Sequence, residues 1–245
     1  MTAPTSTAPC NGPRAYVPFE IPAAPPPPPF RWRRVLRLLG ELRDPDKQVG
    51  AGLELFDALG GVGGERTFQR FAKCPEGRAM LRTRPDLAVL LGDRSFLAAL
   101  PEGSLGRAYM AFADENGFTA ESLVEQNRSI QRERPALDPS RDWFWERFTL
   151  SHDLWHVLTD CPTTEAGEAT LLAFTSAQAP QRGYWFLLSL ISLGVGLDLR
   201  GHARHLRAWR AGKRAESLIP ARWEEFLAWP LEDVRRCFGV PELMQ

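Results

Sequence analysis

The sequence predicts an all-α protein, a single multi-helix domain over residues 31–245 behind a disordered Pro/Ala-rich tail at 1–30. Three observations lead there. From Arg31 onward apolar residues recur at helical spacing with few β-branched runs. Helix-starting and helix-ending residues flank the periodic stretches. The first thirty residues are rich in Pro, Ala and Thr and close on five prolines at 25–29, a composition that favours extended chain and buries no core.

The elements follow in order. Residues 31–43 place Trp32, Val35, Leu36, Leu39 and Leu42 on one side of a helix and arginines on the other, the pattern of either an interfacial helix or a surface helix packed on the core. Over 44–60, Asp44 is the N-cap, Pro45 the first helical residue and Gly60 the stop. Ser104 caps a helix whose stripe is Leu105, Tyr109 and Phe112, ending at Gly117. Residues 141–160 carry the best-patterned helix, 164–178 a second and 183–199 a strongly apolar third, with a terminal helix from Pro230. The uncharged run from Tyr184 to Leu197 falls short of the ~20 residues that span a bilayer. It reads as a core helix or as the wall of a cavity for an apolar ligand.

Composition narrows the function classes. The 245 residues are 44% hydrophobic, enough for a core, and 30 basic residues balance 30 acidic ones, which gives no bulk case for a nucleic-acid partner. Cys10, Cys74, Cys161 and Cys237 lie far apart with no C-x-x-C pair, so neither a zinc ribbon nor a disulfide framework is expected, and the compartment reads as reducing. The N-terminus shows no basic region followed by an apolar one, which argues against a secretory signal.

The chemistry concentrates in "HDLWHVLTDCPTTEAGE", residues 152–168. His152 and His156 are four apart and project from one helical face, where both can reach one ion. Asp153 is turned about 100° from His152, so it is a flanking ligand, a partner orienting an imidazole, or a base for bound water. Pro162 stops the helix, Thr163 or Thr164 caps the next, and Glu168 falls about one turn in. In a helix hairpin His156 and Glu168 sit at similar depth, about 7 Å from the bend. Two histidines with carboxylates suit zinc, iron or manganese. A second pair, His202 and His205, stands among Arg200, Arg204 and Arg207, surroundings that suit an anion more than a cation. A zincin protease wants Glu where Asp153 stands. An HD-type phosphohydrolase needs a histidine well upstream, and none precedes 152. Non-haem iron oxygenases with this ligand set usually use a β scaffold.

The H-D-x-x-H, eleven residues, E spacing resembles the signature of the Coq-four family of ubiquinone biosynthesis proteins, with His152, Asp153, His156 and Glu168 in its positions. "LPEGSLGRAYMAF" at 100–112 and the segment 208–240 are similar to further family stretches, so the likeness covers about 36–241. It implies a helical protein peripheral to the inner membrane, read here as bacterial and on the cytoplasmic side, that takes part in ubiquinone synthesis. It implies a divalent metal at the four motif residues, zinc ahead of iron or manganese. It also implies a polyprenyl chain in an apolar groove, loss of the ring carbon 1 carboxylate of a polyprenylated 4-hydroxybenzoate with hydroxylation there, and contact with other coenzyme Q proteins.

Under that reading Asp153 and His156 carry the chemistry, while Tyr109, Phe112, Phe186, Leu190 and Leu193 line the lipid. Arg107 and Arg147 are available to hold the carboxylate, and a homo-oligomer is expected. The alternative is a non-catalytic lipid-binding scaffold whose metal pins two helices. Four protein ligands would favour structure, and three with an open position would favour chemistry.

Overall fold

The computed structural model describes residues 23–27, 29–41, 54–55, 58–117, 119, 122, 125, 138–194 and 199–244, without the side chains of 190–194, 199 and 200. Among these residues there is no strand, only helices and one isolated bridge between Ser104 and Pro230. The all-α architecture that the periodicity predicts is the architecture found.

In chain order the helices are α1 (Trp32–Glu41), α2 (Gly63–Lys73), α3 (Pro75–Thr83), α4 (Leu87–Gly92), α5 (Arg94–Ala99), α6 (Leu105–Asn116), α7 (Pro139–Thr159), α8 (Glu165–Gln178), α9 (Arg182–Gly194), α10 (Leu199–Arg214), α11 (Trp223–Phe226) and α12 (Leu231–Phe238). Most of the helix expected at 44–60 lies outside the described residues, although Gly60 has the positive φ of 62° that a stop position asks for. The tail at 1–22 also lies outside them.

Local chemistry sets the ends of the helices that matter most. Ser104 accepts from the Arg107 N–H at the start of α6, and Gly117 closes that helix in the left-handed region. The long central helix α7 starts at Pro139, two residues ahead of the expected 141, because Asp138 accepts from the Ser140 and Arg141 N–H groups and Pro139 needs no partner at the first position. It ends at Thr159 because Asp160 turns left-handed at φ 54° and returns its N–H to His156. Pro162 therefore shapes the turn instead of stopping the helix. Thr164 then caps α8 by accepting from Gly167.

One large apolar core joins α2 to α12, with Phe68, Phe71 and Phe144 meeting at ring distances of 4.9–5.5 Å, and Trp155 fully buried between Phe148 and Phe174. A smaller core gathers Val35, Leu38, Leu55, Ala58 and Leu59 against Phe186 and Leu187 of α9. Cys74 and Cys161 are free thiols, whereas Cys237 is disulfide-bonded. Wide spacing in sequence did not predict that bond, since spacing does not report distance in the fold. No helix among the described residues is long and apolar enough to cross a membrane.

Candidate metal centre

The α7–α8 hairpin brings three of the four predicted ligands together. One ligand atom each from His152, His156 and Glu168 lies within 4.8 Å of the others. Glu168 Oε1 is 3.3 Å from His156 Nε2, and Oε2 is 3.7 Å from His152 Nε2. The two imidazoles meet nearly edge to face, 4.8 Å between centroids. His156 is 2% exposed, His152 30% and Glu168 44%. The cluster is thus walled by protein behind His156 and reachable from solvent past the other two.

Three features hold this geometry. His156 Nδ1 donates to the Cys161 carbonyl at 2.8 Å, which fixes the ring's orientation and leaves Nε2 as the nitrogen that faces Glu168. Gly167 lets α8 begin hard against the turn, since a Cβ there would stand 2.0 Å from the Pro162 carbonyl oxygen. Arg235 of α12 donates to the carbonyls of Val157 and Leu158, and the Leu243 N–H to that of Thr159, satisfying the open end of α7 right behind His156. Sequence reasoning missed Arg235, because a contact across 77 residues leaves no local pattern.

The electrostatics suit a cation. Although burial opposes it, the two imidazoles hold the Glu168 carboxyl down at about 2. Burial lowers His152, partly offset by Glu168. Burial would also lower His156, but the hydrogen bond and charge of Glu168 outweigh it and raise that group. Asp153 lies outside the three-residue cluster, buried beside it. Burial, reinforced by the charge of Glu168, pushes its carboxyl up to about 7, and its Oδ2 has no hydrogen-bond donor. Burial of an acceptor without a partner costs about 1–3 kcal/mol, a cost that a nearby cation or a bound proton would offset. Two imidazole nitrogens, a carboxylate and a neighbouring orphaned carboxylate fit a divalent ion of the zinc, iron or manganese kind.

The residues expected to line a lipid divide. Phe112 stacks on His156 at 5.3 Å and so touches the centre. Tyr109 is part of the main core, and Phe186 packs in the smaller core by α1. Leu190 and Leu193 lie on α9, with side chains outside the description. Neither arginine suggested for a carboxylate faces the centre: Arg147 grips Glu224 and the Ala221 carbonyl, and Arg107 donates to Ala98.

Comparison with known proteins follows this geometry. Residues 58–243 match the family model described as coenzyme Q (ubiquinone) biosynthesis protein Coq4. The chain belongs to that family. Among its relatives, the ubiquinone biosynthesis protein COQ4 homolog, mitochondrial, of Danio rerio is 30% identical over 196 residues, 77% of this chain and 70% of the relative. The COQ4 protein of Pyricularia oryzae is 31% identical over 68% of this chain, and that of Yarrowia lipolytica 30% over 72%. The chain spans 53% and 67% of those two fungal proteins. A crystal structure of a candidate ubiquinone biosynthesis protein from Nostoc punctiforme superposes with a TM-score of 0.60 at 20% identity, covering 86% of this chain and 96% of that one, which shows a shared fold. Coq4 membership places the chain's family role in ubiquinone biosynthesis.

Proposed function

We propose that this Coq4-family chain removes the carboxylate at ring carbon 1 of a polyprenylated 4-hydroxybenzoate, with a divalent metal, zinc ahead of iron or manganese, held by His152, His156 and Glu168. The observation that carries the reading is the solvent-reachable His–His–Glu cluster with a buried, partnerless carboxylate beside it. When bound, the metal would supply Lewis acidity toward negative charge developing on the substrate.

The chain's own residues do the rest. His156, locked by the Cys161 carbonyl, and Glu168, pinned at the start of α8, hold their donor atoms at fixed separation. Phe112 covers His156 and keeps water off that side. Asp153, buried and with its carboxyl pushed up to about 7, retains a proton into the neutral range and is the proposed proton-handling group. In the reaction the bond from carbon 1 to the carboxylate breaks, CO₂ leaves and the electron pair stays on carbon 1. A proton takes up that pair in plain decarboxylation. Hydroxylation in the same turnover needs dioxygen and an external two-electron donor: one oxygen atom goes to the ring, and the other leaves as water with two protons.

The exposed Phe30, Trp32 and Leu36 at and before α1 support a protein seated peripherally on a membrane that carries such a lipid, on the cytoplasmic side of an inner membrane under the bacterial reading. Other ubiquinone biosynthesis proteins and a second copy of the chain are its proposed partners. The scaffold reading would need Asp153, which lies outside the three-residue cluster, as a fourth ligand to close the coordination sphere.

The test is to purify the chain and its Glu168→Ala variant, quantify bound metal, and incubate each in air and anaerobically with a short-chain polyprenyl 4-hydroxybenzoate. CO₂ and the ring product are followed by mass spectrometry. CO₂ release that requires both metal and Glu168 is expected, and its dependence on air reports coupled hydroxylation. Metal and lipid bound with no turnover under either atmosphere refutes the lyase in favour of the scaffold.

A further inference from the structure

Several of the chain's arginines are spent on carboxylates. Arg34 and Arg37 meet Glu54, Arg94 meets Asp114, Arg141 meets Glu65 and Asp138, Arg147 meets Glu224, and Arg235 meets Glu232 and Glu242. Helix α10 shows no such pair among the described residues. Its sixteen residues include Arg200, Arg204, Arg207, Arg210, Lys213 and Arg214 and no acidic residue. Among the described residues no carboxylate pairs with Arg207, Arg210, Lys213 or Arg214, and all four are exposed. In a chain of zero formal net charge, this concentrates uncompensated positive charge on one helix.

The register of α10 gathers these charges on one side. Ala208 is buried, and Gly212 lies so close to α8 that a Cβ would meet the Phe174 carbonyl at 2.6 Å, so this stripe faces inward. Turning 100° per residue from it, Leu206 and Arg210 stand at the middle of the opposite face, with Arg207 and Arg214 on one flank and Lys213 on the other. From Leu206 to Arg214 the row is about 12 Å long. Apolar surface accompanies it. Leu206 is exposed, and the exposed Trp185 of α9 lies 6.5 Å from Trp209 of α10. The next residues of α9, Phe186 and Leu187, pack on the α1 core, so the exposed apolar side chains of α1 and the basic row of α10 flank the same helix.

We infer that the outer face of α10, with Trp185 beside it, docks the protein on a bilayer rich in anionic lipid. Cations on one face with a tryptophan and a leucine among them is the arrangement that gains both from headgroup charge and from shallow apolar burial. An acidic protein would satisfy the arginines equally, but it would leave Trp185 and Leu206 without the apolar layer that a bilayer interface supplies. The proposal deepens the reading of a membrane-borne polyprenyl substrate and rests on it only for the choice of a lipid occupant.

The test measures co-sedimentation of the full chain with phosphatidylcholine vesicles and with vesicles containing about a third phosphatidylglycerol, at low and high salt. Basic side chains near an anionic surface add to binding one by one, and salt screens that attraction within a Debye length. We expect at least tenfold tighter binding to the anionic vesicles, most of it lost at high salt. The R207Q/R210Q/R214Q variant should lose at least tenfold while keeping its melting temperature, because those side chains are exposed and pair with no carboxylate among the described residues. Replacing Leu36 of α1 with Ser should weaken both vesicle types alike. Equal binding to both vesicle types by the wild-type chain, or unchanged binding by the triple variant, overturns the proposal. Anionic-vesicle binding that follows the triple variant, in a protein that releases no CO₂ under any condition, would sustain this surface and sink the lyase alone.

Discussion

Gly167→Ala is the perturbation that asks most of the metal centre. The added methyl would stand 2.0 Å from the Pro162 carbonyl oxygen, 2.8 Å from Pro162 Cδ and 2.9 Å from its carbonyl carbon. Two of the three obstacles are backbone, so no side-chain rotation relieves them. Restoring even a 3.0 Å contact requires the start of α8 and the turn at 160–164 to part by about 1 Å, where repulsion is steep. Overpacking of this kind costs about 1–3 kcal/mol. For a domain of this size that lowers the melting temperature by roughly 2–4 °C per kcal/mol.

The site should suffer more than the fold. The residue after Gly167 is Glu168, and the residue before Pro162 supplies the carbonyl that orients His156, so the same 1 Å separates one ligand from the other two. Errors of about 1 Å in a positioned group cost on the order of a hundredfold. The assay is metal content after dialysis together with a calorimetric melt, with Gly40→Ala as control, since nothing lies within 4 Å of a Cβ there. We expect Gly167→Ala to retain helix content, melt lower and lose most of its metal. Full metal occupancy with a melting temperature within 1 °C of wild type would refute the idea that this contact sets the ligand spacing.

Two other perturbations probe the frame around the site. Arg147→Ala strands Glu224, only 18% exposed, and the Ala221 carbonyl; breaking such a pair costs about 3 kcal/mol or more, a drop of roughly 6–12 °C in a thermal melt, with metal content unchanged, and metal loss without a shift in melting would return Arg147 to the site. Asp138→Ala removes the α7 cap, at about 1 kcal/mol near neutral pH. Burial opposes ionisation of Asp138, but hydrogen bonds from the Arg141 side chain and the Ser140 N–H hold its carboxyl below the ordinary range. That contribution is present above the ordinary carboxylate pKa and fades as pH falls through the lowered folded value, so urea titrations of wild type and variant should converge only below about pH 4. A gap that stays constant into stronger acid would refute it.

What sequence made legible here is what short-range geometry encodes. His152 and His156 share a face because helices repeat every 3.6 residues, and Pro162 with Thr163 or Thr164, between them and Glu168, spell a helical hairpin. Ser104, Gly117 and Gly60 marked helix ends for the same local reason. The helices α2 to α5, of 6 to 11 residues, escaped individual notice because pieces so short owe their stability to packing more than to their own pattern. Partnerships were equally hidden. Nothing near residue 147 announces Glu224, nothing near 156 announces Phe112, and the division of Asp153 from the other three motif residues depends on which way α7 is rolled against α8. Asp138 could have been read as a cap from the Asp-Pro pair that opens α7, a signal present in the sequence and passed over.

The bond from His156 to the carbonyl of residue 161 has one more implication. In many metal centres the outer partner of a histidine is a carboxylate, and its strength can be retuned by a single codon. Here the acceptor belongs to the peptide itself. Cys161 can be exchanged for another residue without deleting the acceptor, so the orientation of His156 is written in the path of the chain and is insulated from point mutation at that position. Changing it takes an insertion, a deletion or a rebuilt turn, which makes loop length between the two helices the inherited variable behind the orientation of this ring.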